Sequence, residues 1–205
     1  MTVAGDSTAA RIVEAARQLI MRRGYSGFSY ADIADAIDIR KASIHHHFPV
    51  KADLVIAVVK QSREAFDADI ASLEAAKADP LTHPLTQLRA YIGYWERCIA
   101  DDSAPFCVAG MLGAELPALP DDVAREVRLH FENLAAWVTR VLEAGVEARS
   151  LKLGRPAEAE AASLVSSIYG AMLAARAYGD ASLFEEVTSA AVERLVKPRR
   201  TAKAA

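Results

Sequence analysis

The chain is predicted to be all-α, with about nine helices in two parts, on three observations. Apolar residues recur at spacings of three and four along most of the 205 residues rather than alternating. The breaks between periodic stretches fall at Gly24, Asp38, Pro49, Asp79-Pro80, Pro84, Pro117 and Pro120, residues that end helices. Residues 29–54, SYADIADAIDIRKASIHHHFPVKADL, read as two short helices at a tight turn followed directly by a third.

The first helix, residues 8–23, sets Ile12, Ala16, Leu19 and Ile20 on one face and ends at Gly24, a good C-terminal breaker. The second, residues 30–37, places Ile33, Ala34 and Ile37 at helical spacing, with Ser29 as N-cap and Asp32 at the third helical position. Asp38 carries the turn, because Asp tolerates the left-handed conformation, although Gly adopts it with less strain. The third helix, residues 40–47, has only Ile44, with Phe48 beyond it, to face a core. Arg40, Lys41, Ser43, His45, His46 and His47 are left to face outward, so this helix is too polar to be a core element. Its long cations, hydroxyl and imidazoles are donors suited to phosphate oxygens and purine edges in a DNA major groove. Pro49 stops it, and Lys51 opens the next helix.

That fourth helix runs from Lys51 towards Ala78 with Leu54, Val55, Val58, Val59, Phe66, Ile70 and Leu73; at about 40 Å it is long enough to link two modules. A fifth helix is expected over residues 85–100 and a short sixth inside residues 105–116. Asp121-Asp122 start a long seventh helix, residues 121–149, in which Val123, Val127, Phe131, Leu134, Val138 and Val141 form a core stripe. Residues 150–156 are expected as an exposed loop, followed by helices over residues 157–178 and 181–196. The tail, residues 197–205, has four cations and no apolar anchor beyond Ala, and is expected to be disordered. The division is therefore a helix-turn-helix over residues 7–54 suited to DNA, a larger helical domain over residues 55–196, and the basic tail.

The run from Ile33 through Ala36-Ile37-Asp38-Ile39, Lys41-Ala42-Ser43-Ile44 and His47-Phe48-Pro49, with Lys51 and Leu54, resembles the helix-turn-helix of TetR/AcrR-family transcriptional regulators. Gly24-Tyr25, Phe28 and Ser29 extend the match upstream. Two positions depart from the family pattern: Asp38 stands where Gly is usual, and His45 where Tyr is usual. The resemblance implies operator contact at His45 and phosphate contact at His47 and Lys51; with the outward residues of the third helix, the expected DNA-facing set is Ser29, Tyr30, Arg40, Lys41, Ser43, His45, His46, His47 and Lys51. For His46 a solvated surface residue is an equal reading.

Composition agrees. With 52% hydrophobic residues, 10 Gly and 8 Pro, the chain can bury a full core. It has no run of about 18 apolar residues and no signal-peptide core, so a cytoplasmic protein is expected. Cys98 and Cys107 are too few for a disulfide scaffold or a four-ligand zinc site. The net charge is −3, but residues 1–55 hold seven Lys/Arg against six Asp/Glu, while the remainder holds 17 against 21. Consecutive histidines on a helix diverge by about 100°, so His45, His46 and His47 cannot converge on one ion, and no metal or cofactor is expected.

The helix over residues 157–178 is apolar or small on nearly every side, at Ala161, Ala162, Leu164, Val165, Ile168, Gly170, Ala171, Met172, Ala174 and Ala175. Such a helix needs covering on two sides, either within one subunit or by a second copy. In the family it resembles, the last two helices form a four-helix interface with their symmetry mates, which implies a homodimer on a roughly palindromic operator. Two recognition helices about 34 Å apart then reach successive major grooves.

Phe66, Tyr91, Trp95, Cys107, Met111, Trp137, Tyr169 and Met172 are the candidate ligand-lining residues, with plain core as the alternative for each. Few charged residues accompany them, so a small apolar or weakly polar effector is expected. If residues 105–116 contain a helix, Cys107 falls in its first turn, where the dipole favours a thiolate able to take electrophiles or oxidants; a buried structural thiol is the other reading. GxSxG, HExxH, GxGxxG and P-loop patterns are absent, so no enzyme is expected. The reading is a ligand-responsive DNA-binding regulator, most simply a repressor. Its rival is a helical small-molecule or thiol-based sensor with weak or no DNA binding, since Asp32, Asp35 and Asp38 oppose phosphate.

Overall fold

Helix α1, Thr8–Arg23, opens the computed structural model, which describes residues 8–75 and 83–196. It buries Ile12, Val13, Ala16, Ile20 and Met21, places Arg22 and Arg23 in its last turn, and ends where the Gly24 N–H donates to Ile20 O with φ 73°. Next come α2, Tyr30–Ile37; α3, Lys41–His47; and α4, Lys51–Ala75. Arg40, expected inside the third helix, is its N-cap, with extended backbone. The expected continuation of α4 towards Ala78 lies outside the described residues. After α5, His83–Ala100, the chain forms α6, Val108–Ala114, a 3-10 turn, Leu116–Ala118, and α7, Asp121–Glu147. Two helices, α8, Ala157–Tyr178, and α9, Ser182–Glu193, complete the all-helical fold of the described residues.

The helices group into two units. The first comprises the described residues up to Ala71 together with Asp102–Glu132; the second comprises Ser72–Asp101 together with Asn133 onward. This grouping by packing divides the chain differently from the division expected at residue 54. In the first unit, Ile12, Ile20, Ile33, Ile44, Leu54, Val55 and Val58 are fully buried, each contributing about 1.5–3 kcal/mol of burial energy. In the second, α8 and α9 pack along one another. Leu164, Ile168, Met172 and Phe184 are buried there together with the small residues Ala161, Ala171, Ala175 and Ala191. Gly179 ends α8 at φ 66°, with its N–H on Ala175 O.

The expected exposed loop at residues 150–156 is partly buried. Leu151 lies against Gly145, where an added Cβ would fall 2.3 Å from its Cδ1, and it pairs with Val196 in an isolated antiparallel bridge. The Lys152 N–H also donates to Leu195 O at 2.8 Å. Leu151 is thus core, and only the segment after it meets solvent. This bridge also explains why α9 stops at Glu193 rather than at Val196. The tail at residues 197–205 lies outside the described residues.

Candidate nucleic-acid interface

The two short helices α2 and α3 are joined by a tightly satisfied turn. At the start of α2, Ser29 Oγ accepts from the Ala31 N–H at 3.2 Å and donates to Asp32 Oδ2 at 2.7 Å, while the Ser29 N–H donates to the same carboxylate at 2.8 Å. Hydrogen bonds from the Ser29 hydroxyl and backbone hold the Asp32 carboxyl below the usual carboxylate range, and Arg23 adds an ion pair at 3.1 Å. At the other end Asp38 is left-handed, φ 50° and ψ 59°, and its N–H closes on Ala34 O, as does that of Ile39 at 3.1 Å. The turn therefore reverses without glycine, and Arg11 braces it through a 2.7 Å bond to Ile37 O.

Of the seven residues of α3 only Ile44 is buried. Lys41, Ala42, His45, His46 and His47 are exposed, as is Arg40 before them, and Ser43 is half-buried. This face carries two long cations, one hydroxyl and three imidazoles, and the sequence of α3 contributes no acid to it. The His45 ring meets Tyr30 edge-on at 4.7 Å, and His46 and His47 stand edge to face at 5.3 Å. Among the described residues no group of three or more His, Cys, Asp or Glu is placed to hold a metal ion.

Two expected DNA-facing residues have other duties. Tyr30 is buried, and its hydroxyl donates to Phe48 O at 2.8 Å, tying α2 to the end of α3. Lys51 is half-buried with its ammonium on Tyr25 O at 2.6 Å and on Phe28 O, over the rings of both residues. Burial lowers the Lys51 pKa, and nearby Glu115 and Asp32 oppose that shift. Lys51 thus holds the α1–α2 turn from within. Sequence reasoning missed that anchoring because nothing local distinguishes a phosphate-seeking Lys from one capped by carbonyls.

The eight ligand-lining candidates divide between the units. Phe66, Cys107 and Met111 belong to the first; Tyr91, Trp95, Trp137, Tyr169 and Met172 belong to the second. In the second, Tyr91 and Trp137 are buried with ring centroids 5.4 Å apart, and Met172 is fully buried. Trp95 is half-buried beside Tyr94, with its indole nitrogen enclosed and no hydrogen-bond partner among the described residues; Tyr169 is half-buried. In the first, Cys107 is the N-cap of the seven-residue α6 rather than a first-turn residue. Its Sγ lies 4.0 Å from His130 Nε2, with both residues buried. Phe66 and Phe131 flank that imidazole at 5.9 and 5.8 Å. His130 was missed by sequence reasoning. The one available sign was a titratable residue inside the apolar stripe of α7, where Glu126, also buried, pairs with Arg63 at 2.7 Å.

Two family descriptions match the chain: bacterial regulatory proteins of the tetR family over residues 12–58, and a tetracyclin repressor-like C-terminal domain over residues 84–191. A TetR-family transcriptional regulator structure from Agrobacterium tumefaciens is 50% identical, with a TM-score of 0.88, covering 94% of this chain and 99% of that one. The HTH-type transcriptional repressor DhaR of a Mycobacterium species is 28% identical over 79% of each chain. The transcriptional regulator AcuR of Cereibacter sphaeroides is 33% identical over 54% of this chain, which spans about half the length of that relative (50%).

Proposed function

Because the chain belongs to the TetR family of bacterial regulators, we propose that it is a ligand-responsive repressor that grips its operator with the exposed face of α3 and leaves it when the C-terminal domain binds a small molecule. The observation that carries this reading is α3 itself, a helix anchored by Ile44 alone whose remaining side chains, among them Lys41 and His45–His47, are solvated or half-solvated. Arg40, Lys41, Ser43, His45 and His47 supply the donors, and Ser29 stands at the rim; His46 joins them or is merely solvated. Residues 7–54 read DNA and residues 55–196 sense and pair, in the cytoplasm where the operator is. The test is retention of DNA that the protein selects from a random pool. Binding should weaken with salt at a slope reflecting several phosphate contacts, and absence of any selected sequence would favour the rival reading, a sensor without DNA binding.

Pairing is assigned to α8 and α9. Along α8 the residues Ala162, Ser166, Gly170, Leu173 and Ala177 are exposed at helical spacing, with Leu173 at 59%, and Val187 of α9 is exposed at 39%. An apolar, small-residue stripe of this kind suits a second copy packed about a two-fold axis. A monomer in light scattering at micromolar concentration would remove the claim.

The effector is apolar or weakly polar, on the aromatic content of the candidates in both units. A second reading rests on the Cys107–His130 pair. The imidazole is placed to take the thiol proton as the sulfur adds to the β-carbon of an unsaturated carbonyl, and to return that proton to the resulting enolate. Operator release by N-ethylmaleimide in the wild type, absent in Cys107→Ser, supports it; equal responses end it.

A further inference from the structure

The turn between α1 and α2 is held from both sides through one residue. The Tyr25 N–H donates to Glu115 Oε2 at 2.7 Å, and the Ser26 N–H reaches the same oxygen at 3.3 Å. The Tyr25 carbonyl accepts from Lys51 Nζ at 2.6 Å. Glu115 is the C-cap of α6, and Lys51 is the first residue of α4. A carboxylate and an ammonium therefore clamp opposite poles of the segment that leads into the DNA-reading arms. Gly24 makes the approach possible: a Cβ there would fall 2.3 Å from Glu115 Oε1, and φ 73° disfavours any other residue. A second tie runs beside it, from Arg22 Nη1 to Asp102 Oδ2 at 3.0 Å, but that pair is exposed and screened.

We propose that Glu115 is a positioning residue for operator binding: by capping the Tyr25 and Ser26 amides from α6, it fixes the orientation in which α2 and α3 are presented to DNA. Glu115 touches no DNA in this scheme. It acts through the turn, and charge-assisted bonds to two backbone amides resist displacement more than neutral ones would. Whatever moves α6 then pulls on the reading arms directly.

The test uses the full-length protein and DNA selected by the wild type from a random pool. Glu115→Ala should bind that DNA about tenfold more weakly, with a salt slope shallower by about one phosphate contact, at a full active fraction by stoichiometric titration. Glu115→Gln retains an oxygen that can accept from Tyr25 and should lose only about threefold, since a neutral acceptor makes a weaker bond. Hydrogen exchange at the Tyr25 and Ser26 amides should quicken in the alanine variant and stay near wild type in the glutamine variant. Wild-type affinity and slope in Glu115→Ala overturn the proposal. So does a loss that disappears once binding is normalised to the active fraction, because a merely stabilising contact changes how much protein is folded, not how many phosphates the folded protein grips.

Discussion

Helices α3 and α8 both show a face that the described residues leave uncovered, and the two faces differ in chemistry. The exposed side of α3 is Lys41, Ala42 and three imidazoles above a single buried Ile44. Exposed along the middle of α8 are Ala162, Ser166, Gly170, Leu173 and Ala177, with Glu158, Arg176 and Tyr178 exposed nearer its ends, and eight residues of the helix are buried. A polar, cationic face is at no loss in water and gains only when an anionic surface arrives; its presence on a seven-residue helix speaks of a ligand. A small apolar face in water forgoes burial energy, and its presence on a 22-residue helix speaks of another protein surface. Exposure alone separates neither from ordinary surface; composition along the exposed stripe does.

The largest effect is expected at the buried anchor of α3. Ile44→Asp places a carboxylate at a position with no exposure and should cost on the order of 3–5 kcal/mol, abolishing DNA retention. Light scattering should still report a dimer, since α8 and α9 are untouched; a monomer would mean the two faces are not independent. Leu173→Glu should do the reverse, giving monomers with intact helical content and about a hundredfold weaker operator binding, as the second half-site is no longer tethered. Unchanged mass would place the partner surface elsewhere.

Smaller changes sharpen the contrast. Arg40→Ala and Lys41→Ala should each cost about 1 kcal/mol of DNA affinity and about one unit of salt slope, with unaltered unfolding midpoints. If neither shifts affinity, α3 does not dock as described. Ser29→Ala removes the side-chain cap of α2 and should lower stability by about 1 kcal/mol in denaturant titration. The smallest effect is at α8's first turn, where hydrogen bonds from Arg155 hold the Glu160 carboxyl below the usual range. A carboxyl lowered on folding stabilises above its unfolded pKa and loses that contribution as pH falls through the folded value. Glu160→Gln should therefore cost about half a kcal/mol at pH 7, discounted for the exposed guanidinium, and progressively less as pH falls through the folded value. A cost independent of pH would point to packing.

Local chemistry carried most of the reading. The Ser29 and Asp32 capping box, the left-handed Asp38 and the Gly24 stop each declare themselves within four residues, and the structure puts α1, α2 and α8 at the expected limits. Long-range partners carried no local mark. Glu115 finds Tyr25 across 90 positions, and Cys107 finds His130 across 23. A helix dipole acts along its own helix, whereas the group beside the Cys107 thiol, His130, comes from α7. Lys51 and Tyr30 show the same limit in reverse, since the sequence pattern places them near DNA while carbonyls at Tyr25, Phe28 and Phe48 engage their polar ends.

The Leu151 hook bears on where this chain can be lengthened. Gly145 tolerates no side chain beneath Leu151, and the bridge to Val196 ties the end of α7 to the end of the described chain. Insertions at residues 145–151 would unthread that knot. Lys152 still donates its N–H to Leu195 O, whereas Leu153 and Gly154 beyond it are half-buried and exposed, so a peptide or fluorescent reporter inserted between them should leave the Leu151–Val196 bridge intact.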